Sequence, residues 1–194
     1  MYGKEVNGQI TQTYGLENIM FSPTVYQPAH TLSEEQRQEF GVVYINEPVQ
    51  PSYNPITHTI AAGVYEKQNG AWTKTWAVTP RALSEAKERM KDALEVTHRN
   101  QSEAGVVIND IRVSTDARAL ALLVGAKQGG KSTRKFATRN GRAELTKVQF
   151  DALVTGVDDF LQACQDRYYD LFGLIEAAQD VPSLSLIDLA AGWP

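Results

Sequence analysis

The chain has 194 residues, enough for one large domain or two small ones. Its 42% hydrophobic and 22% charged residues are globular values, and a formal charge of −4 gives no electrostatic reason to expect nucleic acid or an anionic membrane as a partner. A single cysteine, Cys164, excludes an internal disulfide framework and suits a reducing cytoplasm.

Residues 1–79 hold most of the prolines: Pro23, Pro28, Pro48, Pro51 and Pro55. Proline lacks the N–H donor and clashes with the preceding turn, so long helices are interrupted and short strands and turns remain. One helix is predicted over Ser33–Phe40. Ser33 serves as its cap, Gln36 stands three residues on, and Gly41 follows as a stop. Val42-Val43-Tyr44-Ile45 is a β-prone run. A strand pair is predicted from Thr57 to Val78, turning at Gln68-Asn69-Gly70, because Asn-Gly accepts positive φ at low cost.

Thr79-Pro80 marks a change of regime. Thr79 is the predicted N-cap and Pro80 the first helical residue of a helix reaching Glu103, a span free of Gly and of further Pro. Leu83, Ala86, Met90, Ala93 and Thr97 alternate at spacings of three and four, an a/d seam. Such a seam lies on its own domain or pairs with a second copy; Leu83 and Met90 are the candidates for self-association.

Val106-Val107-Ile108 and Ile111-Arg112-Val113 flank Asn109-Asp110 and read as a hairpin. Ser114 or Thr115 is the expected cap of the next helix, which contains Leu120, Ala121, Leu123 and Val124. A second hairpin is expected around Asn140-Gly141, with Phe136 and Ala137 before it and Ala143 to Leu145 after it. Thr146 and Gln149 then form a capping-box pattern, with Leu145 and Phe150 as a hydrophobic staple. Apolar residues recur at helical spacing from Phe150 through Leu153, Val157, Leu161 and Cys164 to Ile175. Val181-Pro182 is the expected end of this long helix. In the tail, Leu184, Leu186, Ile187 and Trp193 are expected to cover a groove.

Gly125-Ala126-Lys127-Gln128-Gly129-Gly130-Lys131-Ser132 fits the nucleotide-binding P-loop pattern, with Gly125, Gly130, Lys131 and Ser132 at the defining positions. A working P-loop needs a strand before it and a helix after it. The segment before, Thr115 to Leu123, is rich in Ala and Leu and reads as helix. The segment after has no apolar helical face and reaches Asn140-Gly141 within a few residues. The string therefore reads as a basic connection between helix and hairpin, and no cofactor is expected. Lys127, Lys131, Arg134, Lys135, Arg139 and Arg142 concentrate positive charge there, which a solvated loop explains and which an acidic partner surface or nucleic acid could also meet.

His30, His58 and His98 are scattered without ligand spacing, so no metal is expected. Asp158-Asp159 are adjacent on a helix and point apart, as on a solvated face rather than an acid/base pair. Cys164 falls on the apolar stripe, as a core residue. No residue is singled out as catalytic.

Residues 99–194 resemble a C-terminal domain of tailed-bacteriophage and prophage proteins assigned to tail, tail-fibre-associated or tail-fibre-assembly roles. The matching features are collinear: AGVVINDIRVSTDARALALLVGA, with Asn109-Asp110 and Thr115-Asp116; then a hairpin; then LQACQDRYYDLFGLIEAA; then Asp188 and the closing Gly192-Trp193-Pro194. More loosely, Pro51-Ser52-Tyr53-Asn54-Pro55, the N-G-x-W turn and Trp76-Ala77-Val78 resemble small proteins encoded near tail-fibre genes.

These readings predict an α+β fold: a small β-rich N-terminal module (1–79), a linking helix (80–103), and a mainly helical C-terminal module (104–194) with two β-hairpins. The resemblance implies a non-enzymatic structural component of a phage tail, in the baseplate or tail-fibre region, whose partners are other tail proteins. A tail-fibre assembly chaperone is the alternative, and a P-loop protein a third. The implied location is the virion tail, after synthesis in the bacterial cytoplasm. The opening MYGKEVNGQI lacks the apolar core of a signal peptide, and no apolar run approaches the roughly 20 residues that span a bilayer. Aromatic residues are enriched at interfaces, so Tyr53, Tyr65, Trp72 and Trp76 are the candidate contact residues of the β module.

Overall fold

The computed structural model describes residues 1–15, 17–138 and 141–194, with the backbone alone for 136–138. The architecture is α+β, as the sequence predicts, and it divides into two units, Met1–Pro80 and Arg81–Pro194.

In the first unit, β1 (Tyr2–Val6) and β2 (Gln9–Tyr14) form a hairpin through Asn7-Gly8, at φ 51° and 76°. Those left-handed angles are what a tight hairpin turn requires, and Asn-Gly supplies them. β3 (Asn18–Ser22) pairs with β4 (Val25–Pro28). A 3₁₀ turn, Ala29–Thr31, leads to α1 (Glu34–Phe40). Its capping box is complete: Gln36 N–H donates to Ser33 Oγ at 3.2 Å, and Ser33 N–H donates to Gln36 Oε1 at 3.0 Å. β5 (Val42–Asn46) precedes the long hairpin of β6 (His58–Gln68) and β7 (Ala71–Pro80), which turns at Asn69-Gly70 as predicted. The five-stranded sheet runs β2-β1-β5-β7-β6, parallel only between β5 and β7. Tyr14, Ala29, Leu32 and Val42 form a buried cluster, where Phe21 lies edge-on to Tyr14 at 5.2 Å and stacks on Phe40 at 5.7 Å.

Thr79 and Pro80 do not start a helix. They end β7, opposite Thr59 and His58, and the Thr59 and Thr79 hydroxyls bond at 2.9 Å. The ladder outcompetes the capping role that local chemistry allowed. Helix α2 (Leu83–Glu103) starts later, at N-cap Ala82, with no side-chain cap.

The second unit contains α2, expected as a linking helix. Here α2 runs antiparallel along α4 (Lys147–Ala177), with Lys87 Nζ donating to the Glu176 carbonyl at 2.6 Å. Its buried face is Ala86, Met90 and Leu94. Leu94 is buried while Ala93 and Thr97 of the predicted seam are half-buried: the contact follows the i, i+4 row of Ala86, Met90 and Leu94, which is inclined to the helix axis. Between these helices come β8 (Val106–Ile108) and β9 (Ile111–Val113), then α3 (Ala117–Gln128), then the β10 (Thr133–Thr138) and β11 (Gly141–Thr146) hairpin. Asn109 and Asp110 make the first turn, at φ 49° and 63°. The second pairing is as expected, but Asn140 of its turn, like Arg139, lies outside the described residues.

The cap of α3 is Asp116, not Ser114 or Thr115: its carboxylate accepts Ala119 N–H at 2.9 Å. The Ser114 hydroxyl and then the Ala119 amide hold the Asp116 carboxyl below its usual range. Helix α4 has 31 residues and the predicted Thr146/Gln149 capping box. Val181-Pro182 does not end it. Helix α4 stops at Ala177, and Val181-Pro182 opens a short α5 (Val181–Ser185) capped by Asp180, where proline's missing N–H is no loss. Leu184 is buried, while Ile187 and Trp193 are half-buried. Leu186, expected to dock, is 85% exposed, because the single turn of α5 points it away from the side of Leu184. Arg167 fastens the tail, its Nε and Nη2 donating to Ala191 O at 3.1 and 2.9 Å.

Candidate functional site

The surface around α3 and the β10–β11 hairpin gathers most of what the sequence singled out. Helix α3 is apolar without interruption from Ala119 to Ala126, between Arg118 and Lys127. Leu123 turns inward, 2% exposed, into a core of Val113, Leu145, Phe150, Leu153 and Val157. Leu120 and Ala126 pack on the same core. On the opposite side Ala117, Ala121 and Gly125 follow at steps of four and are exposed. Leu122, 63% exposed, and Val124, 56% exposed, flank them. This outer face is open to solvent in the single chain. Sequence reading missed it, although the run ALALLVGA carried the signal: no polar stripe divides it.

The P-loop string begins inside this helix. Gly125 to Gln128 are the last residues of α3, Gly129 is its C-cap, Gly130 takes φ 57°, and β10 starts at Thr133. The order is helix, turn, strand, the reverse of what phosphate cradling needs. The helix presents its C-terminal carbonyls to the turn, a partial negative end that Lys127, Lys131 and Arg134 complement.

Beside that turn is a cleft of about 410 Å³ lined by Ala126, Lys131, Thr133, Arg134, Lys135 and Glu144. Arg134 was grouped with a solvated loop, but it lies on β10 opposite buried Leu145, which turns it inward. Its Cζ sits 5.4 Å from the centroid of the Phe150 ring. Lys135 pairs with Glu144 across the ladder.

The other candidates are dispersed. Trp72 is buried within the first unit, and its Nε1 donates to Glu5 Oε2 at 2.6 Å. Met90 is buried against the second unit's own helices. Neither is a surface contact residue; sheet and helix packing within each unit takes them up. Tyr53, Tyr65, Trp76 and Leu83 are half-buried, and Trp76 lies under Lys74, 4.9 Å from Nζ to the ring centroid. His58 Nδ1 bonds the Thr57 hydroxyl at 2.9 Å, and His98 packs on Tyr168 at 5.0 Å, in the other unit. Among the described residues, no group of three or more His, Cys, Asp or Glu is placed to hold a metal. Asp158 and Asp159 are exposed, and Cys164 is buried, which pushes its thiol pKa up. No described helix is long and apolar enough to cross a membrane.

No curated protein and no solved structure matches the chain. A family model described as a domain of unknown function, DUF4376, matches residues 85–191. That stretch is more than half the chain and takes in nearly all of α2, α3, both small hairpins and α4, so the protein belongs to the DUF4376 family.

Proposed function

We propose that the protein is a non-catalytic structural component of a bacteriophage tail, in the baseplate or tail-fibre region, that works by packing against other tail proteins. The observation that carries a contact role is the outward apolar face of α3, with Leu122 and Val124 open to solvent in the single chain. The assignment to a tail rests on the collinear resemblance of residues 99–194 to tail-associated domains. In this reading the protein is made in the host cytoplasm and ends in the virion.

The test is quantitative mass spectrometry of purified virions from cells producing this protein. A fixed copy number relative to the tail-fibre protein supports the proposal. Absence from virions, with fibres that fail to assemble when the gene is deleted, replaces it with an assembly-chaperone role. Absence together with normal infectious particles after deletion ends both.

A further inference from the structure

We infer that the cleft beside β10 binds a carboxylate carried by an acidic segment of a partner protein, with Arg134 and Lys131 as the gripping residues. The inference stands apart from the tail assignment, since it rests on the cleft alone.

The first observation is an unmet donor. Arg134 Nη2 is closed off from solvent and, among the described residues, has no hydrogen-bond partner. A buried donor left unpaired is costly, and more so when charged, so native structures supply an acceptor or use the site. The second is preorganisation. The guanidinium is held over Phe150, itself fully buried, which fixes the plane of its donors before any ligand arrives. The third is the cover over that donor. Gly129 lies against it: a Cβ there would stand 3.0 Å from Arg134 Nη2, so a larger residue would crowd the guanidinium. Gly130 next to it, at φ 57°, also lacks a side chain.

Charge then selects the ligand. Lys131, Arg134 and Lys135 line the cleft with one carboxylate, Glu144. Glu144 stands opposite Lys135 in the ladder. Among the described residues, no carboxylate lies within ion-pair range of Lys131 or Arg134. A planar monoanion matches the guanidinium fork. A phosphate dianion or a nucleic-acid backbone would bring more negative charge against Glu144 and the carbonyl end of α3. The cleft, at about 410 Å³, has room for an acidic side chain and its neighbour rather than a long polyanion.

The test is a titration of the full chain, followed by the Arg134 Nε–Hε resonance and the amide resonances of Gly129 to Arg134. The probes are a short poly-glutamate peptide, inorganic phosphate and a thymidine oligonucleotide, at constant ionic strength. Saturable shifts with poly-glutamate are expected, stronger than with either phosphate probe. Lys131→Gln should weaken binding roughly tenfold, as loss of one charge-assisted contact predicts. Arg134→Gln should abolish it. Lys131 is exposed, so its variant keeps the test decisive if Arg134→Gln unfolds. The inference is overturned if poly-glutamate gives no saturable shift, if phosphate or the oligonucleotide binds as tightly, or if Lys131→Gln binds like the parent protein.

Discussion

The Thr115 hydroxyl accepts the backbone N–H of Gly105 at 3.0 Å and donates to the carbonyl of Ser102. One buried side chain thereby satisfies two backbone groups left over where α2 ends and the first small hairpin begins. Thr115→Val keeps the shape and removes the hydroxyl. Both backbone groups lose their partner, so the expected cost is about 1–3 kcal/mol. Urea unfolding of the two proteins reads it directly; equal midpoints would show that water replaces the hydroxyl.

Gly105 meets a second constraint at the same corner. Its φ is 84°, and an added Cβ would lie 2.6 Å from the Val113 carbonyl oxygen. The obstacle is backbone, which cannot step aside as a side-chain tip does. Gly105→Ala is therefore expected to destabilise by more than about 1 kcal/mol, where an unstrained site would gain from the same change. Gly156→Ala is the internal control. There the obstacle is the Ile108 side chain, with Cδ1, Cγ1 and Cγ2 at 2.9, 3.2 and 3.3 Å, which can shift where a backbone carbonyl cannot, and alanine favours the helix. If thermal melts rank the two variants the other way, the corner is softer than its geometry implies.

Neighbouring leucines on α3 should behave oppositely. Leu123 is 2% exposed in the core, so Leu123→Ala is expected to cost about 2–5 kcal/mol. Leu122 is 63% exposed, so Leu122→Ala should stay within about 0.5 kcal/mol. If α3's outer face is a contact surface, Leu122→Glu will fold normally yet enter virions at lower copy number. Denaturation midpoints together with virion protein ratios distinguish the two roles.

Capping chemistry was the most legible part of the sequence. Ser33 with Gln36, and Thr146 with Gln149, each fixed a helix start to the residue, because the partners lie within one turn. Asn69-Gly70 placed a hairpin for the same reason, and Asn7-Gly8 carries an equal local signal. Thr79-Pro80 misled because its strand partners, Thr59 and His58, lie some twenty residues away and no local pattern announces them. Leu94 lies off the predicted seam because that seam alternates threes and fours, while the buried row of α2 advances by fours and winds slowly around the helix. The cleft was half legible: its basic residues stood out, but that Arg134 faces inward depends on its pairing with Leu145. The outer face of α3 was half legible in the same way: the unbroken apolar run from Ala119 to Ala126 stands out, but which side stays uncovered depends on the packing of Leu123.

The contact between α2 and α4 should weaken in acid. Lys91 Nζ lies 2.7 Å from carboxylate oxygens of both Glu88 and Glu176. Its bond to Glu176, then that to Glu88, raises the Lys91 pKa, and the same Lys91 bond lowers that of Glu176. Glu85, held by Arg89 and then Arg81, shifts in the same direction, as does Asp180, held by Ser183. A carboxyl whose folded pKa is depressed binds its proton less readily folded than unfolded. Its contribution is thus full above the unfolded value and is lost as pH falls through the folded one. The raised Lys91 pKa contributes at all pH values below the ordinary lysine range, so acid removes only the carboxylate side. Between about pH 5 and pH 3 the melting temperature should fall, and Glu176→Gln should remove part of that dependence. The gap between the parent protein and the variant, present at pH 7, should then narrow toward pH 3. A gap that stays constant across circular-dichroism melts over this range would mean that the Lys91–Glu176 pair, lying at the surface, is screened too well to contribute.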